Sequence, residues 1–308
     1  MNALMFALTT VLWGAGALAT TMQVGVTPAP WSVALRMGLA GIILLCYGAI
    51  KRIPLGIPGR HRIFVALQGI LFFSLAFISF YESTRNISSG LAALMLSTSS
   101  IFAALIGRFF LGTPLPTSLF IGALFGITGV GIIVAPALEN LQAGVAVGFA
   151  WALAAAIATA AGTVIGARNQ KAQIPTVAIL GWGAITGSVF SAAWAEISGT
   201  PFTFDLSVSY LGSLLYLAIA ASCITFMLYF ELVRRLGPGK AAYTLAGVPV
   251  VALTLSMLFE GLHPDTHIAI GAAAVIAGNI FVLRARENDK GHATFRSKKN
   301  ATQGQKAL

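Results

Sequence analysis

Residues 76–93 read AFISFYESTRNISSGLAA, and residues 225–242 read TFMLYFELVRRLGPGKAA. Laid over each other at an offset of 149, they pair Phe77 with Phe226, Glu82 with Glu231, Arg85 with Arg234, Gly90 with Gly239, and Ala92-Ala93 with Ala241-Ala242. The match runs from Ala76 to Pro136 with 16 identities in 61 positions, where composition alone gives about five. It also pairs Gly112 with Gly261, Gly122 with Gly271 and Gly129 with Gly278. Upstream it weakens, although Trp13 aligns with Trp151 and Pro30 with Pro175 once loop lengths are allowed to differ. The chain therefore contains two copies of one pattern.

The material around that repeat is apolar. The 308 residues are 57% hydrophobic and 9% charged, with a mean hydropathy of +0.86. A water-facing surface needs about a quarter charged residues, so a soluble globular domain is excluded. Two cysteines in separate apolar runs, Cys46 and Cys223, exclude a disulfide scaffold. Lipid offers the backbone no hydrogen-bond partners, and roughly 20 apolar residues coiled as a helix satisfy their own peptide groups. Ten segments meet that requirement, near 3–24, 30–50, 62–82, 88–110, 116–136, 144–166, 175–197, 208–231, 240–260 and 266–284. They do not alternate as barrel strands would. The expected fold is an all-α polytopic membrane protein. Residues 1–136 form a first five-helix repeat, 137–285 a second, and 286–308 a basic, disordered tail. Because five is odd, the second repeat enters the membrane inverted, giving ten transmembrane helices as two inverted five-helix repeats.

A net charge of +10 raises the question of nucleic acid, and the placement of the nineteen Lys and Arg answers it. Ten lie in every second connection: Lys51, Arg52, Arg60, Arg62, Arg108, Arg168, Lys171, Arg234, Arg235 and Lys240. Seven more are at or in the tail, which leaves Arg36 and Arg85. The basic connections and both termini share one side, which the positive-inside rule makes cytoplasmic. Basicity here is a topology signal, and no nucleic-acid partner is expected. Arg85 stands on the opposite side because it occupies the inverted counterpart of Arg234. An Ala17-Leu18-Ala19 stretch has the small residues of a signal-peptidase site, but no Lys or Arg precedes Arg36, so cleavage is not expected.

Two inverted sets of five short helices, with Leu12-Trp13-Gly14 in the first span, resemble the drug/metabolite transporter superfamily, specifically its ten-helix EamA-type permeases. Further points of likeness are Tyr81-Glu82-Ser83-Thr84-Arg85 leading to Ser89-Gly90-Leu91-Ala92-Ala93, and Tyr229-Phe230-Glu231 leading to Gly237-Pro238-Gly239-Lys240-Ala241-Ala242. The likeness covers about residues 1–285. It departs in two places: Ser100 stands where the family often has a mid-span proline, as Pro249 does in the second half, and Gly112-Thr113 replaces a Gly-Glu pair. The resemblance implies export of amino acids, including aromatic ones, or of other small metabolites.

Several motifs have plain explanations. Gly14-Ala15-Gly16-Ala17-Leu18-Ala19 fits a dinucleotide fingerprint in letters, but that fingerprint works on a strand-to-helix turn, and here it lies inside an apolar span. Close helix packing explains it, as it does Gly122/Gly126, Gly144/Gly148, Gly162/Gly166 and Gly183/Gly187. His61, His263, His267 and His292 fall in loops or the tail, so neither a metal centre nor a proton relay is expected, and no cofactor is called for. The Asn86-Ile87-Ser88 sequon sits in a tight turn and is read as chance.

The expected site is a central cavity at the bilayer midplane, where inverted-repeat carriers bind their solutes. Trp13, Tyr81, Trp151 and Tyr243 would supply apolar and stacking surface. Ser97, Ser100 and Thr244 would supply hydrogen bonds to a small solute. The run Ser97-Thr98-Ser99-Ser100 and its counterpart Ala246-Gly247-Val248-Pro249 would weaken both helices at mid-membrane, with Gly247 and Pro249 acting as a break. Arg36 lies about two turns inside the second span, where a charge costs roughly 2.5–3.5 kcal/mol on insertion scales. Snorkelling, helix carbonyls or a solute carboxylate could satisfy it. Glu82 is a second candidate for a charge role, and Gln68 and Asn279 either line the path or join helices. With Glu82, Glu231 and Glu260 at span ends, facilitation or exchange is expected before proton coupling. The sequence thus predicts a permease of a bacterial-type inner membrane, sufficient as a monomer. An embedded enzyme would need convergent titratable groups, and a sensor or scaffold a soluble domain; neither is visible.

Overall fold

The computed structural model describes residues 2–112, 115, 117–139, 143–263 and 265–281, with side chains at these positions except 111, 117, 118, 136–139, 143, 230, 233, 234, 236–243 and 246. The tail at 286–308 lies outside the described residues. Every regular element among the described residues is helical. Lipid-compatible backbone hydrogen bonding over runs of Leu, Ala, Val, Ile and Phe leaves little alternative.

The chain runs through α1 (Asn2–Thr21), α2 (Ala29–Ile50), and α3 (Gly59–Gln68), which continues as a π-helical segment, π1 (Gly69–Leu75), into α4 (Ala76–Thr84). Next come α5 (Ser89–Ser97), α6 (Ser99–Leu111), α7 (Thr117–Glu139), α8 (Ala143–Lys171) and α9 (Thr176–Ile197). Then α10 (Val208–Leu215) passes through a second π segment, π2 (Tyr216–Ile224), into α11 (Thr225–Phe259), and Thr266–Phe281 forms α12. Among the described residues, seven helices are long and apolar enough to cross a membrane, and Leu119–Ala135, Gly247–Phe259 and Thr266–Phe281 are shorter apolar helical stretches.

Separate spans were expected at 208–231 and 240–260; helical backbone runs under one label from Thr225 to Phe259, yet Gly16 meets Ala221, Trp13 meets Phe226 and Met5 meets Leu232, whereas Gly247 meets Thr10, Val251 meets Gly14 and Glu260 meets Thr21, so the two stretches pass α1 in opposite directions, as separate spans would. The mid-span interruption, expected in both halves, is one-sided. The fourth span breaks at Thr98, between α5 and α6, where the Ser97 and Thr98 hydroxyls bond back to the Leu94 and Met95 carbonyls at 2.6 and 2.7 Å. Back-bonding to the third residue upstream tightens the turn and ends the regular ladder. Across buried Pro249, α11 stays helical.

The two π segments were not foreseen. Under the 149-residue offset, π1 falls on residues 218–224, inside π2. Repeat partners share other features. Gly112 closes α6 at φ 64° and Gly261 follows α11 at φ 67°, a left-handed conformation that glycine adopts without Cβ strain. On α7 and α12, a Cβ at Gly129 would lie 2.6 Å from the Gly271 carbonyl, and one at Gly278 would lie 2.6 Å from the Gly122 carbonyl. Because Gly122 pairs with Gly271 and Gly129 with Gly278 in the repeat, the two contacts exchange into one another under it, and their order makes the helices antiparallel. The same reversal appears between α2 and α9, where Gly38 faces Ser188, Gly41 faces Ile185, and Gly181 faces Leu45.

Candidate functional site

An aromatic cluster sits where α1, π1, α4 and the π2–α11 junction meet. The Trp13 ring stands 5.5 Å from Phe226 and 5.3 Å from Tyr229. Phe226 in turn lies 6.2 Å from Phe72 and 6.0 Å from Phe73, and Phe72 lies 6.5 Å from Phe77. Edge and tilted geometries of this kind are the favoured ring–ring arrangements. The π segment holds the indole in place. A π turn displaces carbonyls from the usual ladder, and two consecutive ones are taken by side chains: Trp13 Nε1 donates to Ala221 O at 3.1 Å, and Thr225 Oγ1 donates to Ala220 O at 2.6 Å. The Tyr216 hydroxyl donates to Leu12 O at 2.9 Å, so α1 is tied to π2 on both sides of Trp13.

Phe77 connects this cluster to a polar centre. The Arg36 guanidinium lies over the Phe77 ring, 4.2 Å from its centroid, and within hydrogen-bonding reach of Tyr81, with Tyr216 also near. Arg36 is 4% exposed, its side chain enclosed by the bundle. Tyr81, fully buried at the centre of this contact, donates to Gln23 Oε1 at 2.5 Å. Gln23 belongs to the turn after α1 and is equally buried. Arg36 Nε and Gln23 Nε2 have no hydrogen-bond partner among the described residues.

The remaining expected residues are distributed elsewhere. Ser97 and Ser100 bond to one amide on α12: Ser100 donates to Asn279 Oδ1 at 2.9 Å, and Asn279 Nδ2 donates to Ser97 Oγ at 2.7 Å. Thr244 is buried against α1, its carbonyl 3.4 Å from Thr10 Oγ1, and a Cβ on Gly247 would meet Thr10 Cγ2 at 2.7 Å. Gly14 is similarly close to Val251, and Gly16 to Ala221, which confirms the packing role of that glycine pair. Trp151 is 39% exposed on a face of α8 shared with exposed Val147, and no described ring lies against it. The Tyr243 side chain lies outside the described residues. Glu82 pairs with Arg85 at 3.1 Å, both partly exposed, in a contact worth about 0–1 kcal/mol. Gln68 and Asn279 join helices, Gln68 Oε1 accepting from Asn169 Nδ2 at 2.9 Å.

Sequence reasoning missed Gln23, Phe72 and Tyr216. Phe226 carried a signal as the repeat partner of Phe77. Glu260 has a defined position too: it accepts from Ser89 N at 2.8 Å, from Thr21 Oγ1 at 3.2 Å and from Ser256 Oγ. With Thr21, Thr84, Arg85, Asn86, Ile87 and Ser88 it lines a hollow of about 370 Å³. Thr84 is one turn from Tyr81 and donates to its carbonyl at 2.9 Å. Among the described residues there is no His, Cys, Asp or Glu group able to hold a metal.

Comparison with known proteins gives this arrangement a family. The chain is 24% identical over 292 residues to a "Probable amino-acid metabolite efflux pump" of Escherichia coli, covering 91% of this chain and 95% of that protein. It is 24% identical to the "Uncharacterized transporter YoaV" of Bacillus subtilis, covering 90% and 96% of the two chains. A solved crystal structure superposes with a TM-score of 0.64 at 21% identity, over 92% of this chain and 98% of the other, which bears on the fold. These relatives' names indicate transporters rather than enzymes, and the apolar helices make the chain a multi-pass membrane protein. A family model matches residues 1–135 and again 146–284, and the chain belongs to the EamA-like transporter family.

Proposed function

We propose that this protein is a ten-span permease of a bacterial-type inner membrane that exports small organic metabolites, amino acids among them, by alternating access between two inverted five-helix halves, 1–136 and 137–285. The observation that supports this most is the meeting of the halves at one aromatic cluster. Trp13, Phe72 and Phe77 come from the first half and Phe226 and Tyr229 from the second, and a π segment at matching repeat positions flanks each side. The antiparallel glycine crossing of α7 and α12 supports the inversion. π segments are frequent at functional positions because they leave backbone groups available and shift the register of a helix. Rocking about such a junction would open the cluster first to one face and then to the other.

The distribution of Lys and Arg supports a cytoplasmic side for both termini and for the tail at 286–308. Exchange or facilitation is the expected energetics, since Glu82 and Glu231 are paired with Arg85 and Arg235 and Glu260 is held by three donors. A monomer encloses the whole arrangement. Counterflow of labelled amino acids, nucleobases and sugars into proteoliposomes carrying the purified chain tests the reading. Saturable uptake of at least one class is expected, and absence of uptake for all of them would refute it.

A further inference from the structure

We infer that Arg36 and Gln23 form the recognition site for a carboxylate on the transported solute, an inference that rests on the transport reading above. The two side chains make a donor-rich, acceptor-poor corner inside the bundle. Arg36 begins seven residues into α2, about 10 Å of helix rise from its start, and is 4% exposed. A guanidinium carries five N–H donors and no acceptor, and a glutamine amide adds two donors. Around them, the Tyr81 hydroxyl is within reach of Arg36, and the Phe77 ring face lies beneath it. Tyr81 spends its own proton on Gln23 Oε1, and Tyr216 spends its proton on Leu12 O. Arg36 Nε and Gln23 Nε2 remain without acceptors, and no carboxylate among the described residues pairs with Arg36.

A buried cation is retained in an apolar segment when something pairs with it for part of its working cycle. The missing group has to be an anion rich in acceptors, and a planar carboxylate matches the guanidinium fork in geometry as well as charge. The setting specifies the rest of the solute. Phe77, which underlies Arg36, is the near edge of the aromatic cluster that continues through Phe72 and Phe226 to Trp13. A carboxylate at Arg36 therefore carries its body onto rings, and the class assigned is a small monocarboxylate with an apolar or aromatic side chain.

The test uses the full-length chain in proteoliposomes, with L-phenylalanine, L-leucine and phenylpropionate as carboxylate probes and their carboxamides as matches that lack the carboxylate, phenylpropionamide being the one without any charge. Wild-type protein should transport or bind carboxylates at least tenfold better than the matching carboxamides. Arg36→Gln should erase that preference, lowering carboxylate affinity at least tenfold with little change for the carboxamides. Arg36→Lys should fall between, keeping charge and losing the fork. Gln23→Leu should weaken carboxylates about threefold, and it remains informative where Arg36→Gln fails to fold by size-exclusion chromatography. Equal handling of acids and amides by wild-type protein would overturn the inference while leaving transport intact, as would equal losses for both in the variants. Silence toward every probe, charged and neutral, alongside uptake of no other solute class would overturn the transport reading together with this one.

Discussion

Replacing Gly129 or Gly271 by alanine should destabilise the bundle by a coupled amount. An added Cβ at either position would stand 2.6 Å from the other residue's carbonyl oxygen, and at Gly271 it would also meet the Ile133 side chain. Reaching ordinary contact near 3.4 Å requires α7 and α12 to separate by about 0.8 Å, against backbone that cannot rotate away. Overpacking of this kind costs about 1–3 kcal/mol, while the gain in helix propensity from Gly to Ala returns up to about 1 kcal/mol. Gly131 on α7, which has nothing within 4 Å of its added Cβ, isolates the second effect. Gly131→Ala should be neutral or slightly stabilising, and each crossing variant should lie about 1–3 kcal/mol below it. Because one displacement relieves both clashes, the double variant should cost less than the sum by about 0.5 kcal/mol or more. Unfolding in detergent, titrated with SDS and followed by tryptophan fluorescence, reads the wild type and the four variants. Crossing variants as stable as Gly131→Ala, or strictly additive losses, would refute the antiparallel contact of α7 with α12.

Three further outcomes follow from the same geometry. Asn279→Leu removes the two hydrogen bonds that link α12 to Ser97 and Ser100; interhelical bonds in membranes average about 0.6 kcal/mol with a maximum near 1.7, so unfolding should shift within about 1–2 kcal/mol, and a larger shift would mean the serines serve more than this contact. Trp13→Phe keeps ring packing but frees the Ala221 carbonyl, and it should reduce counterflow more than Trp151→Phe, whose ring is 39% exposed with no described ring against it; equal effects would count against the cluster as the solute site. Of the two thiols, Cys46 is exposed and Cys223 buried, so a maleimide in detergent should modify one per folded chain and both after SDS, as read by intact mass.

Much of the architecture is legible in the sequence because lipid constrains helices by length and composition. The spans near 30–50 and 175–197 are observed as Ala29–Ile50 and Thr176–Ile197. Apolar periodicity carries no information on hydrogen-bond register, so the π segments were invisible beforehand, although their matching positions follow from the repeat once seen. The hydroxyl run at 97–100 marked a real break at Thr98, but its side chains bond to Asn279, a partner 179–182 residues away that no local pattern indicates. Trp13 and Tyr81 stood out by residue type and depth, and both fall at the aromatic cluster or its polar edge. Trp151 had the same credentials and is 39% exposed, because type and depth do not specify which face of a helix a ring occupies. Gln23 was missed because it stands at the very end of the first expected span, in the turn after α1, and acts only through the approach of Tyr81.

Alternating access is tested most directly by a single cysteine at Phe226, in a chain whose Cys46 and Cys223 are replaced, probed with membrane-impermeant maleimide from each face of sealed vesicles. Reactivity from both faces, each slowed by a transported solute, is the predicted result. Labelling from one face alone under every condition, with or without solute, would contradict a pocket that opens to both sides.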